Sequence, residues 1–393
     1  MAITINSTPE SYPSMHDDLW FVVTSTNVAS TNFKFVFEVY VNSTLVATVK
    51  SFPDPTTNKG FFNAASIVRS YASSYFNPNT TQTLFSYNGD DIYVSYEVRY
   101  GEEYAATTYL NLTSATYKAF NFYPALFRDP STSYFSPYVS KWITSRDRTA
   151  IECGYTEKCY ASFMNAAGTT QATTATVQLY NADGSASGSP STGSSTTMNS
   201  FGLLDISPAA INAYLGSTFI PSTAYGYGIK LNYASTSSEE LKVVISCNLR
   251  YTPVPMHFLN QLGGYDTYSF RLLSRESRSM EKKSYEQMNW QYNSGSTSVR
   301  NYDSYKKMNA GTNAFSVSQT AAFKLNSDYV SVQDYGWLRE LIASPEVYME
   351  KDGYYHPVAV KTASWEEKLR IADKMFNLEL DVEYGRKLNS QYK

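Results

Sequence analysis

The feature that most constrains the fold of this chain is a strict two-residue alternation that runs from Leu241 to Tyr251. Apolar side chains fill every second position of this stretch, namely Leu241, Val243, Ile245, Cys247, Leu249 and Tyr251. The positions between them are polar except for Val244. Because successive side chains of a strand point to opposite faces, this period predicts a β-strand with one buried face.

Two prolines and two glycines follow this strand. Pro253 and Pro255 lack the backbone donor that a strand interior needs, so they predict a bend or a sheet edge. Gly263 and Gly264 can adopt positive φ angles at no steric cost, which predicts a tight hairpin between the strands that flank them. We interpret this region as the point where one regular β-domain ends and the next begins.

The composition favours the same class of structure throughout the chain. Aromatic residues make up 16% and charged residues only 17% of the 393 residues. Aromatic and β-branched residues are enriched in strands, and a chain of this length can close two or three hydrophobic cores. Helical spacing is limited to short segments near 64–75, 207–215 and 334–343. We therefore predict a mainly-β fold of two to three antiparallel β-sandwich or roll domains with one short C-terminal helix.

Alternating segments and the breaks between them divide the chain into four parts. Residues 1–123 are predicted to form an N-terminal β-sandwich, because TNFKFVFEVYVN alternates within a series of closely spaced strands. We assign residues 124–149 to an irregular aromatic linker, 150–255 to a middle β domain, and 256–393 to a C-terminal β domain with a helix near 334–343. The aromatic residues of the linker are expected either to lie over a neighbouring domain or to meet another subunit.

Shorter patterns add expectations within these parts. The Asn88-Gly89 and Asp352-Gly353 pairs each predict a hairpin turn between flanking strands. The low-complexity run 181–198 is expected to be an exposed hairpin tip. The run 274–294 mixes charges of both signs, which predicts a solvated strand pair or an extended arm.

Charge and hydropathy limit the classes of partner. A formal net charge of −3 gives no electrostatic reason to expect nucleic acid, since phosphate binding depends on clustered Lys and Arg. The N-terminal residues lack the basic and apolar regions of a secretory signal, and no apolar run reaches the length of a membrane helix. We expect a soluble protein made in a cytoplasm, with no membrane segment and no direct nucleic-acid binding.

Side chains for nucleophilic chemistry are sparse. The three histidines are His16, His257 and His356, and the chain has no HExxH, GxSxG or P-loop motif. A histidine within a strand is more often hydrogen-bonded in a core than catalytic. We therefore expect no triad hydrolase and no zinc hydrolase.

The three cysteines are odd in number and too few for a disulfide framework. Cys153 and Cys159 stand too far apart in sequence for a CxxC redox motif or a zinc knuckle. Cys247 falls on the apolar face of its predicted strand, where we expect it to act as a small buried hydrophobe.

Paired carboxylates are the remaining enzymatic option, because a glycoside hydrolase needs two acids across its sugar site. Asp90-Asp91 and Glu102-Glu103 are the conspicuous pairs, and both are expected at turns where solvated acids are ordinary. Asp54, Asp183 and Asp352 lack the loop spacing of a calcium site. We therefore predict no catalytic, cofactor-binding or metal-binding residues, no cofactor and no enzymatic activity.

Several segments of the chain resemble virion structural proteins of tailed bacteriophages, particularly phages of Bacteroidetes-type hosts. The matching residues are TNFKFVFEVYVN with the following FPDP, RYTPVPMHFLNQLGGYDTYSF, LNSDYVSVQDYGWLRELIASPEVYMEKDGYYHPVAVKTASWEEK and FNLELDVEYGRKLNSQ. In the pairing of its β domains the chain is similar to ring-forming distal tail proteins.

The resemblance implies a structural component of the virion that forms a ring or sleeve in the tail, collar or baseplate through subunit contacts. Its partners would be copies of itself in a ring-like homo-oligomer and other tail or neck proteins. The alternative is a carbohydrate-binding adhesion or receptor-binding protein. Such a protein would bind through exposed aromatic residues, for which Tyr225, Tyr227, Tyr354 and Tyr355 are candidates.

Overall fold

The computed structural model describes the whole chain except residues 1–2, 75, 77, 79–83, 90–91, 106, 124–140, 148–150, 166–169, 234–235, 247–249, 288–310, 362–376, 387 and 390–393. Strands account for 55% and helices for 8%, in several antiparallel sheets, which confirms the mainly-β prediction. The chain forms two compact units. Unit 1 comprises residues 1–248, 257–268 and 336–345, and unit 2 comprises residues 249–256, 269–335 and 346–393.

Unit 1 begins with a β-sandwich. The elements of this part of the chain are β1 (Ile3–Ser7), β2 (Trp20–Ser25), β3 (Lys34–Val41), β4 (Thr44–Ser51), β5 (Gly60–Asn63), α1 (Ala65–Arg69), β6 (Phe85–Gly89), β7 (Tyr93–Tyr104), β8 (Thr107–Thr113) and β9 (Tyr117–Phe120). One sheet has the order β1-β2-β5 and the other β4-β3-β7-β8, with β9 beside β7. Alternation in β3 buries Phe35, Phe37 and Val39 in a core that also contains Phe21 and Phe62 of the smaller sheet.

A second sandwich of unit 1 follows. Its elements are β10 (Lys141–Trp142), β11 (Ile151–Gly154), β12 (Tyr160–Met164), β13 (Gln171–Tyr180), β14 (Ala186–Thr192), β15 (Thr196–Met198), β16 (Phe201–Asp205), α2 (Pro208–Leu215), β17 (Gly226–Tyr233), β18 (Thr236–Ser237) and β19 (Leu241–Ser246). One sheet has the order β10-β12-β16-β6 and the other β11-β19-β17-β13-β14, with β15 beside β13 and β18 beside β17. Phe163 and Leu204 of the first sheet share one core with Val177 and Ile229 of the second.

The alternation that begins at Leu241 forms the predicted strand. β19 buries Leu241, Val243 and Ile245 in the second core, while the residues between them stay partly exposed. The strand pairs in parallel with β11 and antiparallel with β17. Cys247 and residues 248–249 lie outside the described part of the chain.

The aromatic linker predicted for 124–149 contributes at least one residue to a core. Trp142 is fully buried, and its ring packs against Phe163 with centroids 5.3 Å apart. The indole Nε1 of Trp142 donates to the carbonyl oxygen of Glu239 at 3.1 Å. Trp142 therefore belongs to strand β10 and to the core of the second sandwich, so this part of the predicted irregular linker is a strand.

The hairpin predicted at Asn88-Gly89 is wrong. β6 pairs with β16, with Gly89 opposite Phe201. Phe85 of β6 is fully buried in the second core, where its ring would lie 2.6 Å from a Cβ at Gly202. Burial of a large aromatic side chain outweighs the local turn signal in choosing the partner strand.

The low-complexity run 181–198 forms a tip and two strands. Only Asn181 to Ser185 make the exposed turn, in which Gly184 has a φ of 81°. Beyond the turn, β14 and β15 both pair with β13. The predicted tip is thus confirmed for the turn alone, because Ser and Thr side chains also fit an exposed edge strand.

The predicted Gly263-Gly264 hairpin joins β20 (Val254–Leu259) and β21 (Tyr265–Phe270). Gly263 has a φ of 85°, which L side chains rarely adopt. Gly264 is needed for a different reason, since a Cβ there would lie 2.7 Å from the carbonyl oxygen of Ile143 and from Cβ of Ser162. The turn is therefore fixed by one special backbone angle and one close approach.

Unit 2 contains a sheet in the order β24-β25-β26-β23-β22, with β27 beside β23. Its elements are β22 (Arg275–Gln287), β23 (Gly311–Asn326), α3 (Val332–Ala343, shared with unit 1), β24 (Val347–Lys351), β25 (Tyr354–Val360), β26 (Glu379–Tyr384) and β27 (Leu388–Asn389). The Asp352-Gly353 turn is confirmed, with φ angles of 54° and 77°. The predicted helix is confirmed as α3, and Ser331 Oγ accepts from the backbone N–H of Asp334 at 3.0 Å as its cap. None of the described helices has the length and apolar content to cross a membrane.

Candidate assembly surface

Strands β22 and β23 of unit 2 form a long two-stranded ribbon. They pair antiparallel over the whole length of β22. β26 and β27 pair with β23 only from Ser318 onward. Among the described residues, 282–287 and 311–317 therefore pair with each other and with no third strand. We call these two segments the distal ribbon.

Neither face of the distal ribbon is buried. The described side chains of 282–286 are all exposed, and none of 311–317 is buried. Tyr285 is 44% and Phe315 is 41% exposed, with ring centroids 6.4 Å apart. A two-stranded hairpin without a covering layer is marginally stable in water. A partner that covers this aromatic pair would therefore stabilise the distal ribbon.

Charge is distributed unequally over the ribbon. β22 carries 7 charged residues among its 13, whereas 311–317 carries none. Charged side chains on an edge strand oppose pairing with further strands. β23 contains a β-bulge at Phe315, which is the extra residue between the pairs Lys283–Ser316 and Ser284–Ala314. The uncharged strand with its bulged aromatic residue is the part of the ribbon best suited to contact with another protein.

A second exposed apolar patch lies on the three-stranded sheet of unit 1. Trp20 and Phe61 are both nearly half exposed, and Val22 lies directly across from Phe61. The alternate residues of the same strands, Phe21 and Phe62, are buried in the first core. Strands that are apolar on both faces are typical of sheets covered on both sides.

The three histidines make contacts typical of structural residues. His257 is fully buried, with Nδ1 2.9 Å from Oγ1 of Thr267. Nε2 of His16 lies 3.1 Å from Oδ1 of Asn121. His356 is half-buried within β25. The hydrogen-bonded and half-exposed settings expected from the sequence are those observed.

Glu102 and Glu103 lie within β7, so their predicted position at a turn is wrong. Alternation separates their side chains, and Glu102 is buried while Glu103 faces the other side. Glu102 accepts hydrogen bonds from Oγ of Ser25 at 2.5 Å and Nδ2 of Asn27 at 2.9 Å. Nζ of Lys50 donates to Oε2 of Glu103 at 2.5 Å, and this hydrogen bond lowers the pKa of Glu103. Carboxylates on opposite faces of a sheet do not flank one sugar.

The other acids considered from the sequence occupy turns or lie outside the described residues. Asp54 accepts from the backbone N–H and hydroxyl of Thr57 at 2.7 and 2.8 Å, which lowers the pKa of Asp54. Asp183 accepts from the hydroxyl and backbone N–H of Ser185 at 2.6 and 2.8 Å, with the same effect on its pKa. Asp90-Asp91 lies outside the described residues. In the described part of the chain, no group of three or more His, Cys, Asp or Glu could hold a metal ion.

Among the buried carboxylates that sequence analysis missed is that of Asp266 in β21. Its Oδ2 accepts from Oγ1 of Thr144 and from Nε1 of Trp337, each at 2.9 Å. Burial raises the pKa of Asp266 to about 7, although the hydrogen bond from Trp337 acts in the opposite direction. The sequence signal was an acid at the second position of the aromatic strand YDTYSF.

Further polar contacts of unit 1 surround Asp266. The guanidinium of Arg146 lies 4.5 Å from the centre of the Trp337 ring. Glu340 accepts from Oγ of Ser145 at 2.5 Å and from the backbone N–H of Gln261 at 2.8 Å. Because Trp337 of α3 donates to the Asp266 carboxylate, this buried group ties the helix to strand β21.

The aromatic residues considered for sugar binding differ in exposure. Tyr354 is 70% exposed, and Tyr225 is nearly half exposed. Tyr355 is half-buried. Tyr227 is fully buried, and its hydroxyl donates to the carbonyl oxygen of Ile206. Tyr227 is therefore not available to a ligand in solvent.

Comparison of the sequence with models of known protein families and with curated proteins gives no match.

Proposed function

We propose that this chain is a structural component of a tailed-phage virion. It forms a ring or sleeve in the tail, collar or baseplate through contacts between its copies and with other tail or neck proteins. The observation that carries the proposal is the distal ribbon, which exposes Tyr285 and Phe315 on strands that pair with no third strand among the described residues. Aromatic side chains dominate the energetics of protein interfaces. The segments that resemble virion proteins support the setting in a phage particle.

The role of the chain in this proposal is mechanical. Two sandwiches in unit 1, each with its own core, provide rigid bodies. The distal ribbon extends about 20 Å beyond the last of the described strands that pair with β23, at about 3.3 Å per residue. An arm of this length reaches into a neighbouring subunit. No bond is made or broken.

The full-length purified chain is expected to sediment as a large, defined oligomer that appears as rings or short tubes in electron micrographs. Replacing Tyr285 and Phe315 together by Ser is expected to weaken self-association about tenfold or more, because the aromatic anchors of the interface are lost. Sedimentation velocity over a concentration series measures both results.

Tyr354→Ser is the matched control, because it removes a more exposed aromatic ring of unit 2 that lies outside the distal ribbon. It is expected to leave self-association unchanged. Both variants should keep the thermal midpoint of the wild type, since exposed side chains contribute little to folding. A chain that stays monomeric at every concentration, or an equal loss in both variants, contradicts the proposal.

A carbohydrate-binding adhesion or receptor-binding protein is the second candidate, and the exposure of Tyr354 favours it. Exposed aromatic rings offer flat apolar surfaces on which sugar rings stack. This function predicts that a monomeric chain is retained on polysaccharide resin and that Tyr354→Ser abolishes retention. The double variant of Tyr285 and Phe315 should then bind polysaccharide normally, so these two variants distinguish the two candidate functions.

A further inference from the structure

Two buried cysteines of unit 1 lie side by side in the second sandwich. Cys153 lies near the end of β11, and Cys159 directly precedes β12. Both are free and almost fully buried, and the Cys159 thiol lies close enough to act on the pKa of Cys153. The Cys153 thiol donates to the carbonyl oxygens of Gly154 at 3.3 Å and Glu157 at 3.8 Å. Residues 154–158 return the chain between them through a turn, in which the N–H of Glu157 donates to the carbonyl oxygen of Gly154 at 3.1 Å. Sequence spacing alone gave no sign of this contact.

The two thiols belong to opposite sheets of one sandwich. Cys153 lies opposite Ile245 in the parallel pair of β11 and β19. The carbonyl oxygen of Cys159 accepts from the N–H of Ile206, which follows β16 in the other sheet. A bond between the two sulfurs would therefore join the sheets across their common core.

We propose that Cys153 and Cys159 form a redox-modifiable pair that closes to a disulfide on contact with a peroxide, and that the bond staples the two sheets. This inference does not depend on the proposed function. The chain folds with free thiols, and the disulfide stabilises it afterwards in an oxidising medium. The oxidant is of the peroxide class because a small molecule reaches sulfurs that lie beneath a turn.

The chemistry balances with one peroxide per pair. One sulfur attacks the peroxide, the O–O bond breaks, and a sulfenic acid and one water result. The second sulfur attacks the sulfenic sulfur, an S–S bond forms, and the S–O bond breaks. The departing hydroxide takes the proton of the second thiol as water. Two thiols thus lose two electrons, and hydrogen peroxide becomes two waters.

Access and ionisation set the rate of this reaction. The nearby Cys159 thiol and burial both raise the pKa of Cys153, so its thiolate is scarce near neutral pH. Opening of the turn at 154–158, where Thr156 is exposed, brings oxidant to the pair. We expect closure to be slow and to accelerate as pH rises.

The test uses the full-length chain with Cys247→Ser, which leaves these two cysteines as the only thiols. After treatment with hydrogen peroxide in native buffer, alkylation of the unfolded chain should find no free thiol. The intact mass should fall by two hydrogen atoms. Trypsin cuts after Lys158, so a crosslink between the peptide ending at Lys158 and the one beginning at Cys159 identifies the bond.

The oxidised protein is expected to unfold several degrees higher, an effect that a reductant reverses, because the bond closes a short loop in a fold that already holds the sulfurs together. Cys153→Ser in the same background should lose both the crosslink and the shift in midpoint. Peptide mapping of the oxidised wild type gives the same readout with no substitution. The proposal is overturned if both native thiols stay alkylatable, if the link forms only in urea, or if oxidation lowers the midpoint.

Discussion

At the scale of single residues, burial decides what the carboxylates of this chain do. Asp266 has a pKa of about 7 against an ordinary value of 3.8, because its enclosed site disfavours the charged form. Between these two values the folded protein keeps a proton that the unfolded chain has released. The free energy of unfolding therefore falls as pH rises through this window and levels off above it.

Asp266→Asn is expected to remove this pH dependence. Relative to wild type, the free energy of unfolding of the variant should rise by on the order of 4 kcal/mol from about pH 4 to about pH 8. Urea unfolding at a series of pH values measures the difference. Asp183→Asn is the control, since Asp183 is exposed and its pKa is lowered, and it should show no such rise. If the difference in free energy of unfolding between Asp266→Asn and wild type stayed constant with pH, the carboxylate would not be enclosed.

Glu102 and Glu103 offer a comparison within one strand. Glu102→Ala removes a buried carboxylate and leaves the half-buried donors of Ser25 and Asn27 without this acceptor, which should cost roughly 2 kcal/mol of stability. Glu103→Ala removes a solvent-screened surface ion pair and should cost clearly less stability than Glu102→Ala. Chemical denaturation of both variants at neutral pH measures the difference. Equal losses would show that burial does not separate the two residues.

At the scale of elements, the sequence predicts what local patterns determine. β3 and β19 follow from alternation, the Gly263-Gly264 and Asp352-Gly353 hairpins from turn residues, and α3 from its helical spacing. β6 was assigned to the wrong partner strand. The reason is non-local, since Phe85 finds its place in a core built mainly from residues later in the chain. Local turn chemistry cannot report a contact of that kind.

For the candidate assembly surface, too, the sequence predicts local features and misses those that depend on contacts between elements. Mixed charges in 274–294 predicted a solvated strand pair or an extended arm, and the structure shows one long exposed strand, β22, up to residue 287, whose partner β23 lies outside this run. The exposure of Tyr285 and Phe315 required the structure, because it depends on where β26 and β27 stop pairing with β23. The Asp266 cluster and the pair of cysteines likewise depend on contacts between elements, for which the sequence has no spacing rule.

At the scale of the whole molecule, charge neither prevents nor drives association in the proposed function. A net charge of −3 spread over 393 residues leaves little repulsion between copies. The charged residues of β22 lie beside the aromatic pair and not between its rings. Charges at the rim of an interface act mainly on the rate of encounter, whereas buried anchors determine the lifetime of the complex.

Salt should therefore separate the rate of assembly from its extent. Raising NaCl to about 0.5 M shortens the Debye length to about 4 Å, which should slow assembly in light scattering and leave the final oligomer in sedimentation unchanged. Because the aromatic pair carries no charge, screening does not weaken the contact it makes. If high salt instead dissociated the oligomer, Lys282, Lys283 and Glu286 would carry the contact. Replacing those three residues by Ser, with Tyr285 and Phe315 intact, would then mimic the effect of salt.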